Sequence, residues 1–248
     1  MPHPRSLRFS VSSEPRPRLS VFDAEGHETI VYEPYDYQCK FHASTSANLL
    51  ALGTRNTGKS LMLRMDAIMR CLRIPNFRAI IIRRTMPELR KSHLFDIGRE
   101  MKLLGFPNGF VMNPSPQARF DNGSIIDFAH CETEADILDY LSAQYGFVGF
   151  DELSTFSVNQ FLEISASARA PLGAPYQAVV RAGSNPLGPG ADWMEQWFVT
   201  KAVNYDDYPY YNPSDFETQL SALTDNKSAD VVEYTKRLQN LPEHVRRA

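Results

Sequence analysis

The 248-residue chain is 43% hydrophobic and 22% charged, with a formal net charge of −3. That is ordinary globular composition, enough for one sizeable α/β core, and too little positive charge to coat nucleic acid by charge alone. Three widely spaced cysteines (Cys39, Cys71, Cys131) argue for reduced thiols and against a zinc site, and no apolar run suits a membrane span or signal peptide, so a soluble intracellular protein is expected.

Residues 1–34 read as an arm with short strands at Arg18–Phe22 and Thr29–Tyr32. Arg5, Arg8, Arg16 and Arg18 outweigh Glu14 in the first twenty residues, which fits a solvated arm or a local contact with nucleic acid or a partner. A turn and short helix follow over Tyr35–Ser46. Asn48–Leu52 is a short apolar run suited to a buried strand.

Gly53-Thr54-Arg55-Asn56-Thr57-Gly58-Lys59-Ser60 then fits the G-x-x-x-x-G-K-[ST] phosphate loop at every fixed position. Gly53 and Gly58 let the backbone wrap closely round a polyphosphate with its N–H groups pointing inward. Lys59 is the partner of the β- and γ-phosphates, and Ser60 puts a hydroxyl on Mg²⁺. Helical spacing from Ser60 to Arg73 sets the anion at a helix N-terminus.

Ala79–Ile82 is a second buried strand, and Met86–Leu104 a long helix with Ser92 and His93 as an interruption. Arg83, Arg84, Arg90 and Lys91 form the densest basic cluster, either a solvated helix face or a contact for a phosphate backbone. Asp121-Asn122-Gly123 between two β-type runs is a hairpin signal. Gly146–Phe150 and Gln177–Arg181 are further buried strands. Helices are expected at Glu134–Leu141, Val158–Ala168, Trp193–Lys201 and Ala229–Leu241. Strands alternating with helices imply an α/β fold with a mostly parallel central sheet flanked by helices.

The strand at Gly146–Phe150 ends in Asp151-Glu152, the form of a Walker B element. Asp151 is the candidate Mg²⁺ partner of Ser60, through water, and Glu152 the candidate base that activates water against the γ-phosphate. Gln38, ahead of the loop beside Tyr35 and Tyr37, has an amide able to pair with the adenine edge. Ser184 and Asn185, in Gly183-Ser184-Asn185-Pro186, are candidate γ-phosphate sensors, against the plain reading of that segment as a turn.

Together these residues resemble the ATPase domain of the large terminase subunit of tailed bacteriophages. The loop resembles that family's, which carries an arginine at the position of Arg55. Tyr37-Gln38 resembles its adenine motif, Gly149–Glu152 its Walker B and catalytic glutamate, and Gly183–Pro186 its coupling motif. Asn185–Phe198 and the tail from Asp225 to Arg246 are also similar to it, so the likeness covers residues 33–248.

The resemblance implies a P-loop NTPase of RecA/ASCE type. It implies ATP and Mg²⁺ as cofactors, with Glu152, Arg55 and Lys59 catalytic. It further implies a motor that drives double-stranded viral DNA into a procapsid in the host cytoplasm. Its partners would be the portal protein, the small terminase subunit and copies of itself in a ring, typically of five. On this reading the ATPase core is 35–205, and 206–248 is a helical lid or linker toward a nuclease domain that the chain does not reach. The family's arginine before Walker B has no counterpart in Asp139–Gly146, leaving Arg169 and Arg181 as candidates for a trans-acting finger, or Arg55 acting within its own subunit. A helicase-like translocase is the alternative, though the second motor domain of a helicase is missing.

Overall fold

The computed structural model describes residues 8–11, 17–222 and 225, so the helix expected at Ala229–Leu241 and the arginines at 5 and 16 lie outside the described residues. Strands β1 (Arg8–Val11), β2 (Leu19–Phe22) and β3 (Glu28–Tyr32) form a small antiparallel sheet. Leu19, Val21 and Tyr32 are buried in the same apolar cluster as the first helices, so the N-terminal strands pack on the core instead of forming a detached arm.

The remaining elements alternate as the sequence predicts. Helix α1 (Asp36–Ala43) precedes β4 (Asn48–Gly53), and α2 (Lys59–Arg73) precedes β5 (Arg78–Arg83). The long helix is composite. Its parts are α3 (Met86–Leu89), one π-helical turn over Arg90–Leu94, and α4 (Phe95–Leu103). Next come β6 (Phe110–Val111), β7 (Gln117–Arg119), β8 (Ile125–His130), α5 (Leu138–Leu141), β9 (Phe147–Asp151) and α6 (Val158–Ser165). They are followed by β10 (Val179–Ser184), α7 (Ala191–Met194), which runs on into a π-helical turn, and β11 (Phe216–Ser221). The hairpin expected around Asn122-Gly123 joins β7 and β8 in antiparallel register.

The main sheet has the order β11-β4-β10-β9-β5-β8-β7-β6, parallel from β11 through β8. Successive side chains of a strand point to opposite faces, and the core divides accordingly. Leu49, Ala51, Ala79, Ile81, Phe147 and Val179 meet α1, α2 and α4 on one face. Leu50, Ile80, Ile82, Val148, Phe150, Val180 and Ala182 meet α6 and α7 on the other. Both faces are covered, which is why the strands read as continuous apolar runs.

Strand β11 replaces helix at 216–221, within the 206–248 segment expected to be helical. It is the outer strand of the main sheet, paired in parallel with β4. Its polar side chains are each bonded. Glu217 accepts from Ser44 (2.7 Å) and Ser46 (2.5 Å), Thr218 donates to the Phe198 carbonyl (2.7 Å), and Gln219 donates to the Tyr37 carbonyl. The main sheet therefore extends past residue 205.

Candidate nucleotide site

Parallel strands gather their carboxyl ends on one edge of a sheet, where ligands bind in open α/β folds. Here that edge carries Gly53 of β4, Arg83 of β5, Asp151 of β9 and Ser184 of β10. Strand β10 stands between β4 and β9. The spacing holds the loop and the acidic pair one strand apart, with the end of β10 between them.

The loop's shape follows from two left-handed residues, Asn56 (φ 62°) and Gly58 (φ 88°). Gly58 begins α2 and needs its missing side chain to take that conformation. Gly53 is required for a different reason from the one the motif suggests. A Cβ there would run into the Ser221 carbonyl and hydroxyl of β11, so close packing of the outer strand excludes a side chain.

Lys59 is buried and crosses the loop. Its Nζ donates to the carbonyls of Gly53 (3.0 Å) and Thr54 (2.6 Å), to Thr57 Oγ1 (3.3 Å) and to Asn185 Oδ1 (3.1 Å). Burial pulls its pKa down to about 8, against the pull of Glu152 and Asp151. Thr57 is buried, whereas Thr54, Arg55 and Asn56 are exposed at the mouth. Arg55, Asn56, Thr57, Gly58, Lys59, Ser60, Glu152 and Asn185 line one cavity of about 240 Å³.

Ser60 Oγ donates to Asp151, 3.0 Å from both carboxylate oxygens. Asp151 is fully buried. Burial alone would raise its pKa, but His93, Arg83 and Ser60 outweigh it and hold the carboxyl at about 2. Glu152 has a left-handed backbone (φ 61°), uncommon for a non-glycine residue and typical of functional positions. Burial, then the charge of Asp151, push its pKa up, while Arg83, Lys59 and Arg55 pull it down. A half-buried carboxylate with a raised pKa and access to a polar cavity is suited to take a proton from water.

Asn185 Nδ2 donates to Glu152 at 3.2 Å. Ser184 has a different place. It is fully buried, accepts from the Ser154 N–H (3.0 Å), and so fixes the backbone just after Glu152. The two candidate sensors thus divide, Asn185 in the cavity and Ser184 beneath it.

Gln38 is buried with both polar ends engaged. Its Oε1 accepts from the Tyr35 N–H (2.9 Å) at the start of α1, and its Nε2 donates to Tyr37 Oη (3.1 Å) and, at 3.5 Å, to the Gly58 carbonyl. Tyr37 Oη in turn donates to the Thr57 carbonyl. This geometry makes Gln38 and Tyr37 a brace under the loop, and pairing with an adenine edge would require breaking the α1 cap.

Arg181, a candidate trans-acting finger, is fully buried and donates to the carbonyls of Ser44 (3.0 Å), Ser46 (2.9 Å) and Val180 (2.9 Å). It cannot reach a neighbouring subunit. Arg169 is exposed and donates to the Leu141 and Ala143 carbonyls near the start of β9, the end opposite the loop. The basic cluster also divides. Arg90 and Lys91 are exposed, whereas Arg84 donates to the Cys131 carbonyl (3.2 Å) and Gln160. Arg83 lies 3.3 Å from Asp151 and 3.8 Å from Glu152, inside the site.

Sequence reasoning passed over Arg83 as a site residue, and with it His93, Arg64 and Glu100. His93 Nε2 lies 3.0 Å from Asp151 Oδ2, and its Nδ1 lies 3.2 Å from Arg64 Nη1. Arg64 makes a two-pronged bond to Glu100 (2.6 and 2.7 Å). One signal was available. Arg64 is a charge within the apolar stretch of α2, and a buried arginine needs partners.

The donor set suits a small hard cation. A serine hydroxyl and a carboxylate converge beside the loop, and Mg²⁺ is held by one or two such ligands with phosphate and water completing its shell.

Fold and site together define a P-loop NTPase of the class in which an added strand separates the loop strand from the acidic strand. The sequence model of the phage terminase large subunit family matches residues 47–243, and the chain belongs to that family. No curated protein matches it in sequence. Among solved structures, the large terminase of a thermophilic bacteriophage aligns with TM-score 0.62 at 14% identity, over 86% of this chain and 52% of that one. The ATPase domain of the Thermus phage P74-26 large terminase aligns with TM-score 0.60 at 17% identity, over 87% of this chain and 92% of that one. The HK97 bacteriophage large terminase aligns with TM-score 0.51 at 11% identity, over 84% and 43%. The chain therefore spans about half the length of the first of these proteins, which has also been solved with ADP and with ATP-γ-S. Among the described residues no helix is long and apolar enough to cross a membrane.

Proposed function

We propose that this chain is the ATP-hydrolysing motor part of a DNA-packaging terminase. The observation that carries the reading is the convergence of Lys59, Ser60, Glu152 and Asn185 from three neighbouring strand ends on one cavity, with Asp151 bonded to Ser60 beside it. Lys59 and the N-terminus of α2 receive the phosphates. Ser60 and Asp151 would hold Mg²⁺, which would supply positive charge against the phosphates. Glu152, kept basic by its surroundings and oriented by Asn185, takes the proton from the attacking water. Arg55, exposed at the mouth of the cavity, is suited to meet charge developing on the γ-phosphate.

Arg169 would meet a nucleotide only as the residue of a neighbouring subunit, in keeping with a ring. Exposed Arg90 and Lys91 suit a phosphate backbone, so double-stranded DNA is the proposed track. The portal and the small terminase subunit are the partners proposed on the same reading, and the host cytoplasm the proposed location. ATP turnover by the purified chain, lost in Lys59→Ala, tests the enzymatic part. Wild-type turnover in that variant would overturn it.

A further inference from the structure

Asp151 is the carboxylate that Ser60 contacts, and its own partners include a residue from a helix that no nucleotide motif covers. That helix is interrupted at Arg90–Leu94 by a π-helical turn, and His93 lies in this turn with no exposed surface. Such turns place one residue out of the regular α-helical register and are frequent at functional sites. Here the turn aims His93 Nε2 at Asp151 Oδ2.

The direction of each hydrogen bond follows from donor chemistry. A guanidinium only donates, so His93 Nδ1 must accept from Arg64 Nη1. A neutral ring that accepts at Nδ1 carries its proton on Nε2, so it donates to Asp151. Arg64 in turn cannot rotate away, because Glu100 grips it through two bonds of 2.6 and 2.7 Å. A continuous line runs Glu100–Arg64–His93–Asp151–Ser60, across α4, α2, the π-helical turn and β9, and every hydrogen bond along it has one possible polarity.

We propose that His93 is a positioning residue for the metal-holding carboxylate. With its tautomer set by Arg64, it locks the Asp151 side chain in the orientation that faces Ser60. The sub-ångström placement of a ligating carboxylate is commonly set by such an outer partner, whose loss costs ~10- to 100-fold in metal affinity. The inference rests on the Mg²⁺–nucleotide reading of the site.

The test compares the wild-type chain with His93→Leu, His93→Gln and His93→Asn. Affinity for a fluorescent ATP analogue is titrated in excess EDTA and again in Mg²⁺, with melting temperatures alongside. Gln keeps an N–H at the reach of Nε2, whereas Asn stops near Nδ1 and contacts only Arg64. The expected result is unchanged affinity in EDTA for all four proteins. The Mg²⁺-dependent gain should fall about tenfold or more in His93→Leu and His93→Asn, and be largely restored in His93→Gln. If His93→Leu does not fold, the Gln and Asn pair gives the reading. An unaltered Mg²⁺ gain in His93→Leu or His93→Asn, or a His93→Gln protein as defective as His93→Asn at equal melting temperature, overturns the proposal. A wild-type chain that gains nothing from Mg²⁺ would instead overturn the nucleotide reading beneath it.

Discussion

Asn185 Nδ2 stands 3.2 Å from Glu152 Oε2, while Oδ1 of the same amide accepts from Lys59 at 3.1 Å. An ammonium only donates and a carboxylate only accepts, so the amide has one workable orientation. Asn185 therefore ties Lys59 of the loop to Glu152. Under the proposed function, this tie would be a direct route from phosphate occupancy to water activation.

Asn185→Ala should separate binding from turnover. Lys59 keeps its loop carbonyls and the loop keeps its shape, so nucleotide affinity should change by less than about threefold. Glu152 loses its orienting donor, and kcat should fall ~10- to 100-fold, the scale of losing a positioning contact. Equilibrium binding and single-turnover hydrolysis measured on the same protein check this. A kcat within a factor of two of wild type would show that Asn185 does not position the base.

Glu152→Gln should bind ATP with near wild-type affinity and hydrolyse it ~10²- to 10⁴-fold more slowly, the usual contribution of a general base. The amide is isosteric and can still accept from Asn185. A protein that loses nucleotide affinity in parallel with turnover would assign Glu152 to holding the site together, not to proton transfer.

The loop was legible because its chemistry is local. A glycine able to take φ 88°, a lysine and a hydroxyl must follow one another for the helix end to face phosphate. Asp151 and Glu152 were legible because two adjacent acids close an otherwise apolar strand. What escaped is held together through contacts distant in sequence. His93 meets Asp151 across 58 residues and Arg64 across 29, and no periodic pattern records either contact. Strand β11 escaped because an outer strand fastened by Glu217, Thr218 and Gln219 lacks an apolar run. Gln38 was found by position, but its bonds to Tyr35, Tyr37 and Gly58 were not, since a bracing amide and an adenine-facing amide look alike in sequence. Arg181 looked available only until its strand proved to be covered on both faces.

Gly53→Ala tests the packing account of the loop's first glycine. The added methyl would meet the Ser221 carbonyl of β11, backbone that cannot rotate aside. The variant should displace the outer strand and lower stability by about 1–3 kcal/mol, the usual scale of overpacking. Thermal melts check this, together with hydrogen exchange across 216–221, which should lose protection selectively. An unchanged melting temperature would return Gly53 to a role in phosphate binding alone.

Asp66 anchors a second buried polar group, on the side of α2 that faces β10 and α1. Its carboxylate lies 3.2 Å from Arg70, 3.6 Å from His42 and 3.8 Å from Arg181. Burial would raise its pKa, yet Arg70, His42 and Arg181 outweigh burial and hold the carboxyl far below the ordinary range. A carboxyl depressed on folding stabilises the fold at pH values above its unfolded pKa of about 4, and that contribution drains away as the pH falls below it. Asp66→Asn removes the charge that compensates a fully buried arginine, which costs about 3–5 kcal/mol and, in a domain of this size, roughly 10 °C in melting temperature near neutrality. The gap between variant and wild type should then narrow steadily below pH ~4, where the wild-type carboxyl begins to gain a proton on unfolding. Melting temperatures of both proteins from pH 3 to pH 7 give the comparison. A gap that stays constant across this range would mean that Asp66 contributes shape and not charge.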